Sequence, residues 1–249
     1  ELCTAEDFIV AMAPAQARQV VQHGLGQETG VELPSERVGI VPSTAWKQKA
    51  RNQPWYPGET ISAAIGQGYV TVTPLQMASV IGTVANDGVS IKPRLVQAVM
   101  NRTTGDRAEF PPTIRGKVAV KPATLALIKS ALADVVTKGT ATRAKSPLVT
   151  IGGKTGTAQT AALRTGPEKD IPKKFRDHAW FVAFAPVESP RIAVAVLAEH
   201  MGHGGSAAAP LAKDVIEAYV KAYPQMLQGV PASGRAKSPA GPVDARPNL

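Results

Sequence analysis

Three kinds of chemical capability stand together in Gly152-Gly153-Lys154-Thr155-Gly156-Thr157: an ammonium, two hydroxyls, and backbone left bare by glycine. A phosphate-cradling loop needs a glycine five positions before its Gly-Lys pair, so that successive N–H groups curl round the anion. That position is Leu148, and the residues after Lys154 read as extended rather than as a helix start. The stretch "GQGYVT" (66–71) fails as a dinucleotide fingerprint in the same way, with Thr71 where the third glycine should be. A strand edge remains. Side chains alternate along a strand, which puts Lys154 and Gly156 on one face and Thr155 and Thr157 on the other. Gly156 lets a bound acyl chain approach the backbone, a strand N–H can stabilise a tetrahedral oxyanion, and lysine and threonine groups can hold a carboxylate. An ordinary hairpin strand is the alternative reading of the same residues.

Other candidates offer less. His200 and His203 have an i, i+3 spacing but no third metal ligand, and read as a loop pair. Trp46, Trp55 and Tyr56 read as aromatic packing within a proline-rich stretch. Adjacent Asp177 and His178 point apart on a strand, and Cys3 is the single cysteine, which excludes an internal disulfide. Lys and Arg outnumber Asp and Glu 28 to 19, a net charge of +9, yet the basic residues form short knots such as "KQKAR" without interleaved aromatics. Nucleic acid is therefore not an expected partner. No apolar stretch reaches the roughly 18 residues a membrane span needs.

These residues must be positioned by a small set of elements. "TPLQMASVIGTVANDG" (73–88) predicts a helix capped by Thr73, with Leu75, Met77, Val80, Ile81 and Val84 as its apolar face. Residues 121–141 predict a second, with Leu125, Leu127, Ile128, Leu132 and Val135 on one side and Gly139 as its stop. A third runs over 207–223 with Leu211, Val215, Ile216 and Tyr219 at helical spacing, and residues 5–23 predict helix interrupted at Pro14. Three strands are expected, in 149–160, 178–187 and 191–200, the last two joined as an antiparallel hairpin. Residues 31–60 show no sustained period and read as ordered coil, and the Pro, Gly, Ala and Ser-rich segment 225–249 as disordered.

"PWYPGETISAAIGQGYVTVTPLQMASVIGTVANDG", then "GGKTGTAQ", a long loop, "HAWFVAFAPVESPRIAVAVLAEH" and a Gly-rich segment, in this order, resemble the class B penicillin-binding proteins, in particular the elongation enzymes of rod-shaped bacteria. The resemblance covers roughly residues 15 to 222. It implies a β-lactamase/transpeptidase-like fold, of fold class α/β of the α+β type with an antiparallel sheet flanked by helices. It also implies a D,D-transpeptidase that crosslinks peptidoglycan stem peptides through an acyl-serine and is acylated by β-lactams. It implies no cofactor and no metal. Lys154, Thr155, Gly156 and Thr157 take the place of the third active-site motif: Lys154 for the electrostatics of the site, Thr155 and Thr157 for the carboxylate of a D-Ala terminus or β-lactam, the Thr157 N–H for the oxyanion. Gln67 and Gly68 take the place of a segment that buttresses the site. Expected partners are the stem peptide with its D-Ala-D-Ala terminus, β-lactams and cell-elongation proteins, at the periplasmic face of the inner membrane.

The family's nucleophile lies in Ser-x-x-Lys, followed by Ser-x-Asn or Ser-x-Asp. No serine here has lysine three residues on or Asn or Asp two residues on; Ser43 comes nearest, with Lys47 at the fourth position. The expectation is that residues 1–224 are the C-terminal part of a transpeptidase domain, without the N-terminal strands and nucleophile helix, and inactive alone. A non-catalytic peptide- or protein-binding module on the same fold, and a carboxypeptidase or β-lactamase, are the alternatives.

Overall fold

The computed structural model describes residues 24–159 and 171–228. Its centre is a three-stranded antiparallel sheet, β5 (Gly152–Ala158), β6 (His178–Ala185) and β7 (Ile192–Ala198), with β6 in the middle. The register pairs Gly152 with Phe184 through to Ala158 with His178, and Ala179 with Ala198 through to Ala185 with Ile192. Alternation along β6 builds two cores. Ala179, Phe181, Ala183 and Ala185 join one cluster, and Val182 and Phe184 join another. Each buried phenylalanine contributes about 1.5–3 kcal/mol of hydrophobic stabilisation.

Three helices cover these faces. α3 (Pro74–Ala85) starts on reciprocal bonds between Thr73 and Gln76, with Pro74 in its first turn, and packs Ile81, Val84 and Ala85 against Val182 and Phe184. α4 (Pro122–Thr137) reaches both clusters, through Leu132 on one side and Val135 and Val136 on the other. Its packed stripe is Leu125, Ile128, Leu132, Val135 and Val136, and Leu127, expected on that face, is 70% exposed because it stands two residues out of the 3.6 period. α5 (Ala208–Ala222) also turns differently. Ala208, Ala209, Ala212, Ile216 and Val220 are buried, while Leu211 and Val215 face outward. Small residues let the helix lie close on the sheet, so its alanine stripe rather than its larger side chains selects the packed face.

Residues 31–60 are not coil throughout. α1 (Thr44–Arg51) is capped by the Ser43 hydroxyl, which accepts from Trp46 N at 3.1 Å, and α2 (Pro57–Ala64) begins where Glu59 accepts the Tyr56 N–H at 2.8 Å. Both helices are only eight residues long and lack an apolar stripe, so periodicity misses them while their caps do not. Two ribbons complete the described chain: β1 (Val89–Ile91) with β4 (Ile114–Lys117), and β2 (Ala98–Met100) with β3 (Arg107–Glu109). Residues 225–227 of the expected tail belong to a 3₁₀ turn, Pro224–Leu227, whose Leu227 packs on the main core. The expected helix over 5–23, Cys3, most of the loop between β5 and β6, and residues 229–249 lie outside the described residues.

Candidate active site

The double glycine before Lys154 has a packing explanation. A side chain at Gly152 would stand 2.8 Å from the Phe184 ring, and one at Gly153 would stand 2.6 Å from the Phe181 ring. One aromatic ring of β6 thus crosses β5 on each face, and only glycine leaves room for both. Beyond them, Lys154 is 4% exposed, and its ammonium donates to the Thr155 carbonyl at 3.0 Å and approaches Thr155 Oγ1 at 3.4 Å. A buried ammonium is tolerated when its hydrogens find acceptors.

Gln67 comes to the same place from 90 residues away: its Nε2 donates to the Thr157 carbonyl at 3.0 Å. The helix end that delivers it is a Schellman motif. Gly66, at φ 74°, donates to Ala63 O at 3.1 Å, and the Gln67 N–H donates to Ser62 O at 2.8 Å. Gly68 is also left-handed, at φ 71°, so Gln67 stands at the tip of a turn that two glycines permit. Thr157 O, bonded to Gln67, points away from β6. In an antiparallel strand the N–H and C=O of one residue point to the same side, so the Thr157 N–H shares that outward edge.

The Gly-rich segment that follows β7 packs against β5 as well. A Cβ on Gly204 would lie 2.1 Å from Trp180 O and 2.6 Å from Gly156 O, and one on Gly205 would lie 2.2 Å from Thr140 O. The backbone of Gly204 and Gly205 therefore rests directly on the β5–β6 pair and on residue 140. Two adjacent glycines after a strand were the available signal. Arg143 Nη1 ties this loop down by donating to Ser206 O at 3.0 Å, and Thr140 Oγ1 lies 3.0 Å from Thr155 Oγ1. The structure thus brings Lys154, Thr155, Gly156, Thr157 and Gln67 together, and adds Thr140, Gly204 and Gly205. Gly68 carries no side chain to the site and acts only through the turn.

The aromatic residues of 46–69 pack around α1 and α2, and His178 and His200 pair with each other. Lys47 is 1% exposed, pairs with Glu59 at 2.5 Å, and lies 4.3 Å from the Tyr56 ring centroid, while Trp46 packs on Tyr69 at 5.2 Å. The Lys47 hydrogen bond, followed by the Tyr56 N–H, holds the Glu59 carboxyl below the usual range. His200 contacts His178 rather than His203: its backbone N–H donates to His178 Nδ1 at 2.9 Å, and the rings are 4.5 Å apart. Among the described residues no three His, Cys, Asp or Glu side chains cluster to hold a metal ion, and no helix is long and apolar enough to cross a membrane.

Residues 10–217 match the family described as penicillin binding protein transpeptidase domain. The peptidoglycan D,D-transpeptidase MrdA of Acinetobacter baumannii is 42% identical over 205 residues, covering 79% of this chain and 29% of that protein. MrdA of Haemophilus influenzae is 36% identical over 206 residues, with 79% and 31% covered. The chain thus spans about a third of the length of these relatives. Among solved structures, Pseudomonas aeruginosa PBP2 in complex with WCK 5153 superposes with a TM-score of 0.69 at 32% identity, covering 94% of this chain and 48% of that one. Helicobacter pylori PBP2 in complex with MreC gives 0.67 at 32% identity, with 88% and 38% covered.

Proposed function

The chain belongs to the penicillin-binding protein transpeptidase family, and from that premise we propose that it carries the strand side of a PBP2-type D,D-transpeptidase site, with Lys154, Thr155, Gly156 and Thr157 as its third motif. The observation that carries this reading is the outward edge of β5, where Gln67 holds the Thr157 carbonyl and the Thr157 N–H shares that edge beside Lys154 and Thr155. In the reaction, a serine hydroxyl adds to the penultimate D-Ala carbonyl of a stem peptide and passes its proton to a base. The tetrahedral oxyanion collapses, the peptide bond breaks, and the terminal D-Ala leaves with the proton on its amine. An amine of a second stem peptide then attacks the ester, forms the crosslink, and a proton returns to serine. The Thr157 N–H stabilises the oxyanion, Thr155 and Thr157 hydroxyls hold the terminal carboxylate, and the Lys154 charge favours both anions. No cofactor takes part. A β-lactam enters by the same acylation.

The chain up to Leu227, whose side chain packs on the main core, is read as the C-terminal part of this domain, a reading supported by the family match over residues 10–217. The 249 residues hold no Ser-x-x-Lys, so alone they are inactive. The cell-elongation machinery is the proposed partner, because a PBP2 similar to this chain is in complex with MreC. The work is done at the periplasmic face of the inner membrane, where stem peptides are crosslinked. The test is labelling with a fluorescent penicillin, followed by peptide mapping, on the product of the full open reading frame and on the 249-residue chain. Label on the serine of a Ser-x-x-Lys in the full product, and none on the chain, is expected. An unlabelled full product, or label mapped to any serine of these residues, overturns the reading.

A further inference from the structure

Thr140 lies just beyond the C-terminus of α4, two residues past the cap at Lys138, in a segment that no motif marks. Its hydroxyl is exposed to solvent and sits 3.0 Å from Thr155 Oγ1. Thr155 Oγ1 is in turn 3.4 Å from the Lys154 ammonium. A hydroxyl has one hydrogen and two lone pairs, and an ammonium can only donate. Lys154 therefore occupies one lone pair of Thr155. If Thr140 donates to the other, the Thr155 hydrogen has no partner left inside the network. It must point outward, toward whatever binds along the β5 edge.

We propose that Thr140 is a positioning residue of the carboxylate subsite: its hydroxyl donates to Thr155 and turns the Thr155 proton toward the carboxylate of the bound peptide or β-lactam. The inference rests on the functional reading above and extends it to a residue outside the strand. The chain Thr140 to Thr155 to carboxylate runs in one direction, and each bond polarises the next. The arrangement is built rather than incidental. A Cβ added to Gly205 would stand 2.2 Å from the Thr140 carbonyl oxygen and 3.7 Å from the Thr155 methyl group, and the Arg143 bond to Ser206 O holds that loop in place. Without Thr140, the Thr155 hydroxyl keeps its place but can turn its proton aside.

The test uses the product of the full open reading frame, with acylation followed by mass spectrometry for benzylpenicillin and for its neutral methyl ester. T140V is expected to slow acylation by benzylpenicillin about tenfold, the worth of roughly one charged hydrogen bond. Acylation by the ester should change by less than about twofold, and T140S should restore the benzylpenicillin rate. Should valine prevent folding, T140A is read the same way. Equal loss with both ligands, no loss with either, or a loss that serine fails to restore overturns the inference. A wild type that neither ligand acylates overturns the functional reading and this inference with it.

Discussion

Replacing Gly204 by alanine tests how closely the 202–206 loop is pressed onto the candidate strand. The added Cβ would stand 2.1 Å from Trp180 O, 2.6 Å from Gly156 O and 3.0 Å from Gly156 N, all of them backbone atoms. Carbon and oxygen ordinarily approach no nearer than about 3.3 Å, so the loop must rise by roughly 1 Å. Inserting a methyl group into such a contact costs about 1–3 kcal/mol. For a chain of this size each kcal/mol moves the melting temperature by roughly 2–4 °C, so the variant should melt about 2–12 °C lower. Amides of β5 and β6 near Gly156 and Trp180 should also exchange faster with deuterium. Gly58 is the control, since a Cβ there meets nothing within 4 Å in the first turn of α2. Gly58→Ala should raise stability by about 0.4–1 kcal/mol through the unfolded chain. A Gly204→Ala variant that melts within about 1 °C of wild type, with unchanged exchange, would refute the close contact.

Two further perturbations probe the scaffold around the site. Because the Glu59 carboxyl is held below its ordinary value of 4.5, its contribution to stability is fully present above that value and is lost as pH falls through the folded one. Glu59→Gln should flatten the acid limb of a pH–stability curve, and adding Lys47→Met should recover stability by removing a buried charge left without its carboxylate. A steeper acid limb in Glu59→Gln than in wild type would count against this. Gln76 is fully buried, and its Nε2 donates to Gln27 O at 2.9 Å and Val38 O at 2.8 Å. Gln76→Leu strips both carbonyls of their donor, and denaturant unfolding should register a loss of about 2–3 kcal/mol. A loss below about 0.5 kcal/mol would mean that water replaces the side chain.

The parts of the fold that sequence made legible are those with strong local signals. The three sheet strands carry β-branched and aromatic runs bounded by turn residues, and α3 announces itself by Thr73, Pro74 and an apolar face. What escaped depends on partners distant in sequence. Leu127 on α4 and Leu211 and Val215 on α5 are apolar yet exposed, because hydrophobicity alone does not say which stripe a neighbour will cover. The helices of 44–64 are held by caps and by a buried Lys47 that finds Glu59 and Tyr56, a combination composition cannot reveal. In the candidate site, Lys154 to Thr157 and Gln67 stand out as motifs. Thr140 does not, and the Gly-rich segment around Gly204 does so only as a segment, since their relevance lies in contacts across 15 and 48 residues, to Thr155 and Gly156 respectively.

The central claim is that the outward edge of β5 receives the acyl group and carboxylate of the substrate. Its most direct measurement is a crystal structure of the full gene product after reaction with benzylpenicillin. The account places the ligand's former lactam carbonyl oxygen about 2.7–3.1 Å from Thr157 N, with its carboxylate within hydrogen-bond distance of the Thr155 and Thr157 hydroxyls. A covalent adduct seated elsewhere, with the edge from Lys154 to Thr157 untouched, would contradict it.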